Sequence, residues 1–382
     1  MDNHMFFNSF SLAAAALLGA ASLLAEPVST AAEPPFEVVA SGLDNPRGLA
    51  FAHNGALYVA EAGRGGDTSL WVQYGGSPIE LFFGASGAIT EVLDGVQTRV
   101  VTGLPSKAQT GGYRAAGPDD LALGTGNVAF VVTGLGLPEG TPALREAFDP
   151  GAADLGRLLR VDLKQGTWES VADLVAHEAA DDPDGAGVDS NPYALLSVPG
   201  RFLVADAGGN DLLSVKYNGE VSTLALFRNW LVDAPPSLGL PPGTQIPLQS
   251  VPTTVVLGPD LALYVGELTG RPFPVGGARV YRLTPSSEPK VFAEGFTNII
   301  DMEFRPQDGL LYVLEHATKG LLSGDATGAL IRINDDGSRD VIASAGLVSP
   351  GGLAFGGDGA AYVTNFSESA EIGQVVRIPI EP

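Results

Sequence analysis

The chain has no cysteine among its 382 residues, so disulfides, thiolate metal sites and thiol nucleophiles are all excluded. Cations are scarce: 21 Lys and Arg stand against 44 Asp and Glu, for a formal charge of −23 and a pI near 4.3. A nucleic-acid groove or an anionic lipid surface needs clustered cations, and no run of them occurs, so neither partner is expected. Only four histidines are present, fewer than a zinc centre or a Ser-His-Asp site would ask for. Charged residues make up 17%, too few to clothe a long helical bundle. Long hydrophobic runs are also missing, with one exception at the start.

That exception is FSLAAAALLGAASLLA, Phe10 to Ala25, followed by Glu26, Pro27 and small residues. It is too short to span a bilayer comfortably and suits the apolar region of a signal peptide, although MDNHMFF before it carries no Lys or Arg. Residues 1–32 are read as a leader cleaved near residues 31–32, and 33–382 as one periplasmic or secreted domain with no stable membrane span. What the chain does have is glycine (50) and proline (28) within a composition that is 45% hydrophobic, with a mean hydropathy of +0.17. That mixture is too apolar for disorder and points to many short strands joined by tight turns.

Internal repetition confirms the strands. Six segments share an alternating apolar strand, a tight turn and a second strand ending in a polar residue, at Glu61, Thr133, Asp206, Glu267, Glu315 and Asn365. The spacings between these ends are 72, 73, 61, 48 and 50 residues, the shorter ones matching a four-stranded propeller blade. Two further strands follow each pair except the last, where only QVVRIPI remains. The opening segment FEVVASGL (36–43) resembles DVIASAGL (340–347) and supplies the missing strand. The expected fold is therefore all-β, a six-bladed β-propeller of four-stranded antiparallel blades with the last blade closed by the N-terminal strand, and a monomer.

With strands named a to d outward from the axis, the a–b and c–d turns are all short. Insertions sit only in b–c connections (63–87, 134–155, 317–327) and d–a connections (176–192, 228–251), which emerge on one face, as working loops on a rigid scaffold do. The b-strand ends reach that face. So do the a-strand starts Gly48, Asp120, Ala194, Thr254, Asp301 and Gly352, with Asn191 and Asn298 just upstream. Arg47, Asp120, Asn191, Tyr193, Asp206, Asn210, Thr254, Asn298 and Asn365 are the candidate ligand-binding residues. Glu61, Asp206, Glu267, Asp301 and Glu315 form a candidate metal set, since Ca²⁺ takes six to eight oxygens. The alternative is structural pairing with Arg47, Arg64, Arg114 or Arg271, and both readings stay open. Trp71 and Trp230, in two of the insertions, are candidate aromatic anchors.

Other motifs carry less. DDPDGAGVD (181–189) lacks the EF-hand spacing and reads as a solvated loop. GLGLPEG (134–140) precedes no βαβ unit and is no dinucleotide fingerprint. Of the histidines only His316, beside Glu315, falls near the expected channel mouth.

YVAEAGRGG, SNPYALL, GGNDLL, ELTGRPFPVGGARVYR, FTNIID and SPGGLAF together resemble the ScyD/ScyE family, over about residues 36–380. That is a group of exported, NHL-like propellers named after accessory proteins of scytonemin clusters. The resemblance implies an exported six-bladed propeller but no particular chemistry. Its motifs at Ser190 to Tyr193, Ala207 to Asp211, Glu267 to Gly270 and Thr297 to Asp301 all map to the elaborated face. Three functions compete. The first is a binding or accessory protein for a small molecule, glycan or protein. The second is a hydrolase resembling gluconolactonase or paraoxonase propellers, with Glu61, Asp206, Glu267, Asn298 and Asp301 on Ca²⁺ polarising a lactone or ester. The third is a quinone-dependent dehydrogenase, which the scarcity of histidine places last. No cofactor other than Ca²⁺ is expected.

Overall fold

The computed structural model of the protein describes residues 36–74, 77–136, 145, 150–235, 238–284 and 287–381. The expected leader 1–32 and its cleavage point lie outside them, as do parts of the 63–87, 134–155 and 228–251 insertions. Among the described residues no helix is long and apolar enough to cross a membrane.

Alternating apolar residues bounded by Gly, Pro and Asx turns give short strands, and these pair antiparallel in chain order. Sheet 1 begins with Pro46–Phe51 and Leu57–Glu61, sheet 2 with Pro118–Leu123 and Val128–Thr133, and sheet 3 with Pro192–Val198 and Arg201–Asp206. Sheet 4 begins with Pro252–Leu257 and Leu263–Glu267, sheet 5 with Ile299–Phe304 and Leu311–Glu315, and sheet 6 with Leu353–Phe355 and Ala361–Asn365. Two more strands complete each of sheets 2 to 6, and sheet 1 has six strands in all. In sheet 6 the third is Gly373–Ile378 and the fourth is Glu37–Leu43, from the start of the described chain. The polar residues that end each repeat in the sequence are thus the last residues of the second strands.

The first strand of each sheet touches that of the next, and the first strand of sheet 6 touches that of sheet 1. Adjacent sheets pack face to face over separate apolar clusters. Val256, Val280, Met302 and Val313 join sheets 4 and 5, and Leu49, Val59 and Val375 join sheets 6 and 1. Each fully buried aliphatic side chain in such a seam contributes about 1.5–3 kcal/mol. This is a propeller-type arrangement of mostly four-stranded sheets.

First strands start alike. Pro46, Pro118, Pro192, Pro252 and Ile299 lie opposite the last residue of the second strand, and a bulge follows each. Proline suits this place because the bulged edge leaves no ladder bond for its nitrogen to donate. At the turn end, sheets 4 to 6 share another device. Tyr264, Tyr312 and Tyr362 donate their hydroxyls to the aspartate four residues earlier, at 3.2, 3.1 and 3.3 Å. Arg282, Arg305 and Arg377 pair with the same aspartates.

Two insertions differ from the sequence reading. Residues 63–87 form a β-ribbon: Thr68–Tyr74 pairs with the start of the 17-residue strand Ser77–Leu93, which pairs in turn with Val96–Gln109. Leu81 and Phe83 bury themselves against Leu135, Leu155 and Val175, with Leu70, Val72 and Ile79 packed alongside, so the ribbon has an apolar face to hide. The second is DDPDGAGVD. It continues the helix Leu174–Asp181, capped by Asp173 at Ala176 N and ended by left-handed Asp182, and its Asp182, Asp184 and Asp189 are half-buried rather than solvated.

At the axis the first strands approach so closely that one glycine is obligatory. A Cβ on Gly48 would lie 2.0 Å from Asp120 Oδ1 and 2.9 Å from Asp120 Cα. Gly48→Ala is therefore expected to cost at least about 2 kcal/mol and to lower Tm, whereas Gly357→Ala, whose Cβ meets nothing within 4 Å, leaves it unchanged. Thermal denaturation of both variants checks this.

Candidate functional site

The residues ending the second strands do one job in five sheets: they hold the segment entering the first strand. Asp44 N donates to Glu61 Oε2 at 2.7 Å, Asn191 N to Asp206 Oδ1 at 2.6 Å and Thr297 N to Glu315 Oε1 at 2.7 Å. Ser250 Oγ donates to Glu267 Oε2 at 2.7 Å, and Val348 N to Asn365 Oδ1 at 2.7 Å. In sheet 2, Thr133 Oγ1 bonds instead to Asp154 O and Arg157 N.

Cations and donors on the same sheets complete several of these acids. Glu61, 0% exposed, is forked by Arg99 at 2.9 and 2.6 Å and takes Thr90 Oγ1 at 2.5 Å. Glu267 pairs with Arg279 at 2.7 Å. Asp206 accepts Ser190 Oγ and the amides of Gly208 and Gly209. Burial pushes Glu315 up to about 7, against the pull of the Thr297 amide and Arg339. The five acids of the candidate metal set are therefore not gathered around one point. Among the described residues the group of acids whose oxygens lie within 4.8 Å of one another is Glu178, Asp182 and Asp184.

Asp120 and Asp301 line the axis. Asp120 accepts Leu195 N of sheet 3 at 2.7 Å, and Asp301 accepts Leu353 N of sheet 6 at 2.7 Å and Thr254 Oγ1 at 2.8 Å. Each carboxylate so ties its own first strand to the next. Burial, with the Asp301 charge second, holds Asp120 well above its usual range. Burial lifts Asp301 to about 6. Glu303, one step further along the same strand, is pushed up to about 8 by burial and by Asp301.

The mouth is chemically different. Arg47 sends Nη2 to Ala115 O at 2.6 Å, and its Nε stands 3.6 Å from Asp119 Oδ1. Neither of those last two atoms has a hydrogen-bond partner, and neither does Tyr193 Oη, although all three are buried. Tyr193 stands close enough to Arg47 and Asp119 to feel both charges. Lys107 reaches in from Val96–Gln109 of sheet 1 and donates to Gly136 O at 2.9 Å. Burial brings Lys107 down to about 8 and Asp119 up to about 7, each opposed in part by the other's charge.

Sheets 5 and 6 close the group. His316 Nδ1 donates to Pro350 O at 2.8 Å, leaving Nε2 toward Glu368 at 3.8 Å. Burial pushes Glu368 up, but His316, Arg114, the Tyr113 hydroxyl and Arg47 together hold it below the usual range. Tyr113 and Arg114 are exposed and form the rim.

Of the sequence candidates, Arg47 and Tyr193 belong to this group and Asp120 lies below it. The amides are committed elsewhere. Asn191 Oδ1 takes Leu135 N, Asn210 bonds Val251 N and Asp184, Asn298 bonds Leu268 O and Leu321 N, and Asn365 Nδ2 bonds Gly346 O. Trp71 is 63% exposed, while the Trp230 ring carries the Arg279 guanidinium at 3.3 Å. Sequence reasoning missed Lys107, Asp119 and Glu368. The signal for Asp119 was the doubled acid in GPDD. The roomier clefts, of about 640 and 850 Å³, open between sheets at the turn end. They lie away from these charges, and the larger is bordered by Leu123, Phe130 and Tyr217.

Glu303 gives the axis a measurable pH dependence. Its raised folded value means that its stabilising proton is fully held below about 4.5 and is lost as pH rises through about 8. Glu303→Gln is expected to raise Tm by roughly 5 °C at pH 9 and to leave it unchanged at pH 4. Paired melting curves at the two pH values test it.

No known family model matches the chain, and no curated protein is similar to it. Solved structures of propeller type are similar to it in fold. A protein of unknown function from Bacteroides thetaiotaomicron is 12% identical with a TM-score of 0.52, covering 90% of this chain and 71% of that one. A glucose dehydrogenase is 12% identical with a TM-score of 0.51, covering 91% and 99%. A luciferin-regenerating enzyme is 11% identical with a TM-score of 0.50, covering 90% and 94%. At these identities the likeness is one of fold.

Proposed function

We propose that the protein is an exported six-bladed β-propeller of the ScyD/ScyE kind that binds a small molecule bearing a carboxylate at the mouth of its axis. The pairing of Glu37–Leu43 with the C-terminal strand supports closure of a six-membered ring, and the contact between the first strands of sheets 6 and 1 agrees with it. The observation that carries the binding reading is Arg47 Nε and Tyr193 Oη, two buried donors that make no hydrogen bond, Asp119 Oδ1 standing 3.6 Å from Nε, on the first strands of sheets 1 and 3. A buried donor left unbonded is costly, and a ligand carboxylate offers acceptors for both. Lys107 adds a second cation beside Arg47, and the exposed Tyr113 and Arg114 stand where a ligand enters.

A second reading, hydrolysis of a lactone or ester, draws on Asp119 and Lys107. Burial places these adjacent groups at about 7 and about 8, where each can hold or release a proton at neutral pH. In that reading the axial and strand-end carboxylates are structural, and calcium at Glu61, Glu267 and Asp301 is not required.

A thermal-shift panel of mono- and dicarboxylic acids and uronic acids tests the proposal. At least one compound should raise Tm by several degrees at saturation. Tyr193→Phe, which removes one hydroxyl, should weaken that compound's binding about tenfold while leaving the ligand-free Tm in place. Absence of any stabilising carboxylate, or binding indifferent to both Tyr193→Phe and Arg47→Gln, overturns the assignment. Turnover of lactone or ester substrates that is lost in Lys107→Met would favour the second reading.

A further inference from the structure

We infer that the connection between sheets 2 and 3 holds a structural calcium ion, ligated by carboxylate oxygens of Glu178, Asp182 and Asp184, with the buried carboxylate of Asp211 facing the same space. One oxygen from each of Glu178, Asp182 and Asp184 lies within 4.8 Å of the others. That is the widest separation two oxygens can have on an ion they both touch at about 2.4 Å. The independent sign is Asp211, at the start of the third strand of sheet 3. It is 1% exposed, and its Oδ1 has no donor. Glu178 is 4% exposed, and its Oε1 is likewise unpartnered.

The two groups face one small space. A Cβ placed on Gly209 would sit 3.2 Å from Glu178 Oε2 and 3.5 Å from Asp211 Oδ1, with Asp206 Cγ at 3.6 Å. A side chain there would fill the cradle, and glycine leaves it open. The remaining acceptors nearby are spoken for: Thr223 Oγ1 donates to Asp211 Oδ2 at 3.2 Å, and Asn210 Nδ2 donates to Asp184 Oδ2 at 2.9 Å. Among the described residues no lysine or arginine forms an ion pair with Glu178, Asp182, Asp184, Asp206 or Asp211. The charges acting most strongly on Glu178 are those of Asp206, Asp184 and Asp182.

Buried like charges without a counterion take up either a proton or a cation, and an all-oxygen, carboxylate-rich donor set of irregular geometry selects Ca²⁺ over zinc and, by its flexibility, over Mg²⁺. The nearest imidazole, His177, is turned to Asp181 at 3.2 Å and Thr223 at 3.0 Å. The loop it would clamp runs directly into Asn191 and Tyr193. The inference does not depend on what the mouth binds.

Equilibrium dialysis of the full chain against Ca²⁺, with melting curves in Ca²⁺ and in chelator, tests it. One ion per chain and a Tm several degrees higher with Ca²⁺ than in chelator are expected, and Mg²⁺ at equal concentration should not reproduce the shift. Asp184→Asn and Asp182→Asn, in a half-buried loop, should each weaken calcium binding roughly ten- to a hundredfold. Asp211→Asn, which removes the buried charge beside the ion, should raise the Tm in chelator while reducing the calcium shift, a result that simple misfolding does not produce. No bound calcium in dialysis overturns the inference. So does a calcium shift that survives Asp182→Asn and Asp184→Asn but is lost in Asp301→Asn, which would move the ion to the axis.

Discussion

A single hydrogen bond, made five times, sets the geometry of everything else. The polar residue that ends a second strand grips the segment delivering the chain to the first strand. That segment has left one sheet and not yet joined the next, so its amides and hydroxyls have no ladder partner. Satisfying them from a fixed strand end pins the inner strand in angle and height. The proline and bulge that follow can then turn successive residues toward different places. Because the grip is buried, Glu61, Asp206 and Glu267 draw several donors, Arg99 and Arg279 among them, Glu315 is pushed up to about 7, and in sheet 6 a neutral Asn does the same work. The use of acids at these ends thus follows from what faces them.

The inner strands inherit two kinds of polar chemistry. Along the axis, Asp120 and Asp301 accept amides from the neighbouring sheet and act as rivets between strands that share no ladder. At the mouth the groups are crowded but less completely bonded: Arg47, Asp119 and Tyr193 touch one another's fields without saturating one another's bonds. Bonding is more nearly complete along the axis than at the mouth. In a chain of such negative charge, Arg47, Lys107, Arg114 and His316 gather within one region.

Much of the architecture was legible because strand alternation and a polar terminus repeat six times. The residues at 61, 133, 206, 267, 315 and 365 end strands as the pattern requires, and the likeness of FEVVASGL to DVIASAGL marked the segment that pairs with the last strand. Side-chain direction was less legible. A bulge between Pro118 and Asp120 separates two adjacent aspartates, so that Asp120 meets the axis while Asp119 meets Arg47, and no periodicity announces a bulge. Lys107 was hidden for another reason: it sits on Val96–Gln109 opposite Phe83, where that strand pairs with a ribbon read as a loop, although SPIELFFG already alternates. The ring of strand-end acids looked like a metal site because their partners are remote in sequence, Arg99 lying 38 residues beyond Glu61. The acidic cradle over Gly209 escaped for the same cause, since its members come from a helix, a loop and a strand that no linear spacing relates.

The pairing of Glu37–Leu43 with Gly373–Ile378 also orders events in time. The outermost strand of sheet 6 is synthesised first and finds its partner last, more than three hundred residues later. At 5–20 residues per second it waits roughly 20–70 s with one edge unpaired and Val38, Val39 and Ala40 ready to join any other strand. During that interval the other sheets can form and stack, but the seam between the first and last has only one wall. The nascent chain therefore depends on whatever keeps its leading strand single until the final one is released. Delay at that step, rather than weakness of the finished seam, is where such a molecule would fail to mature.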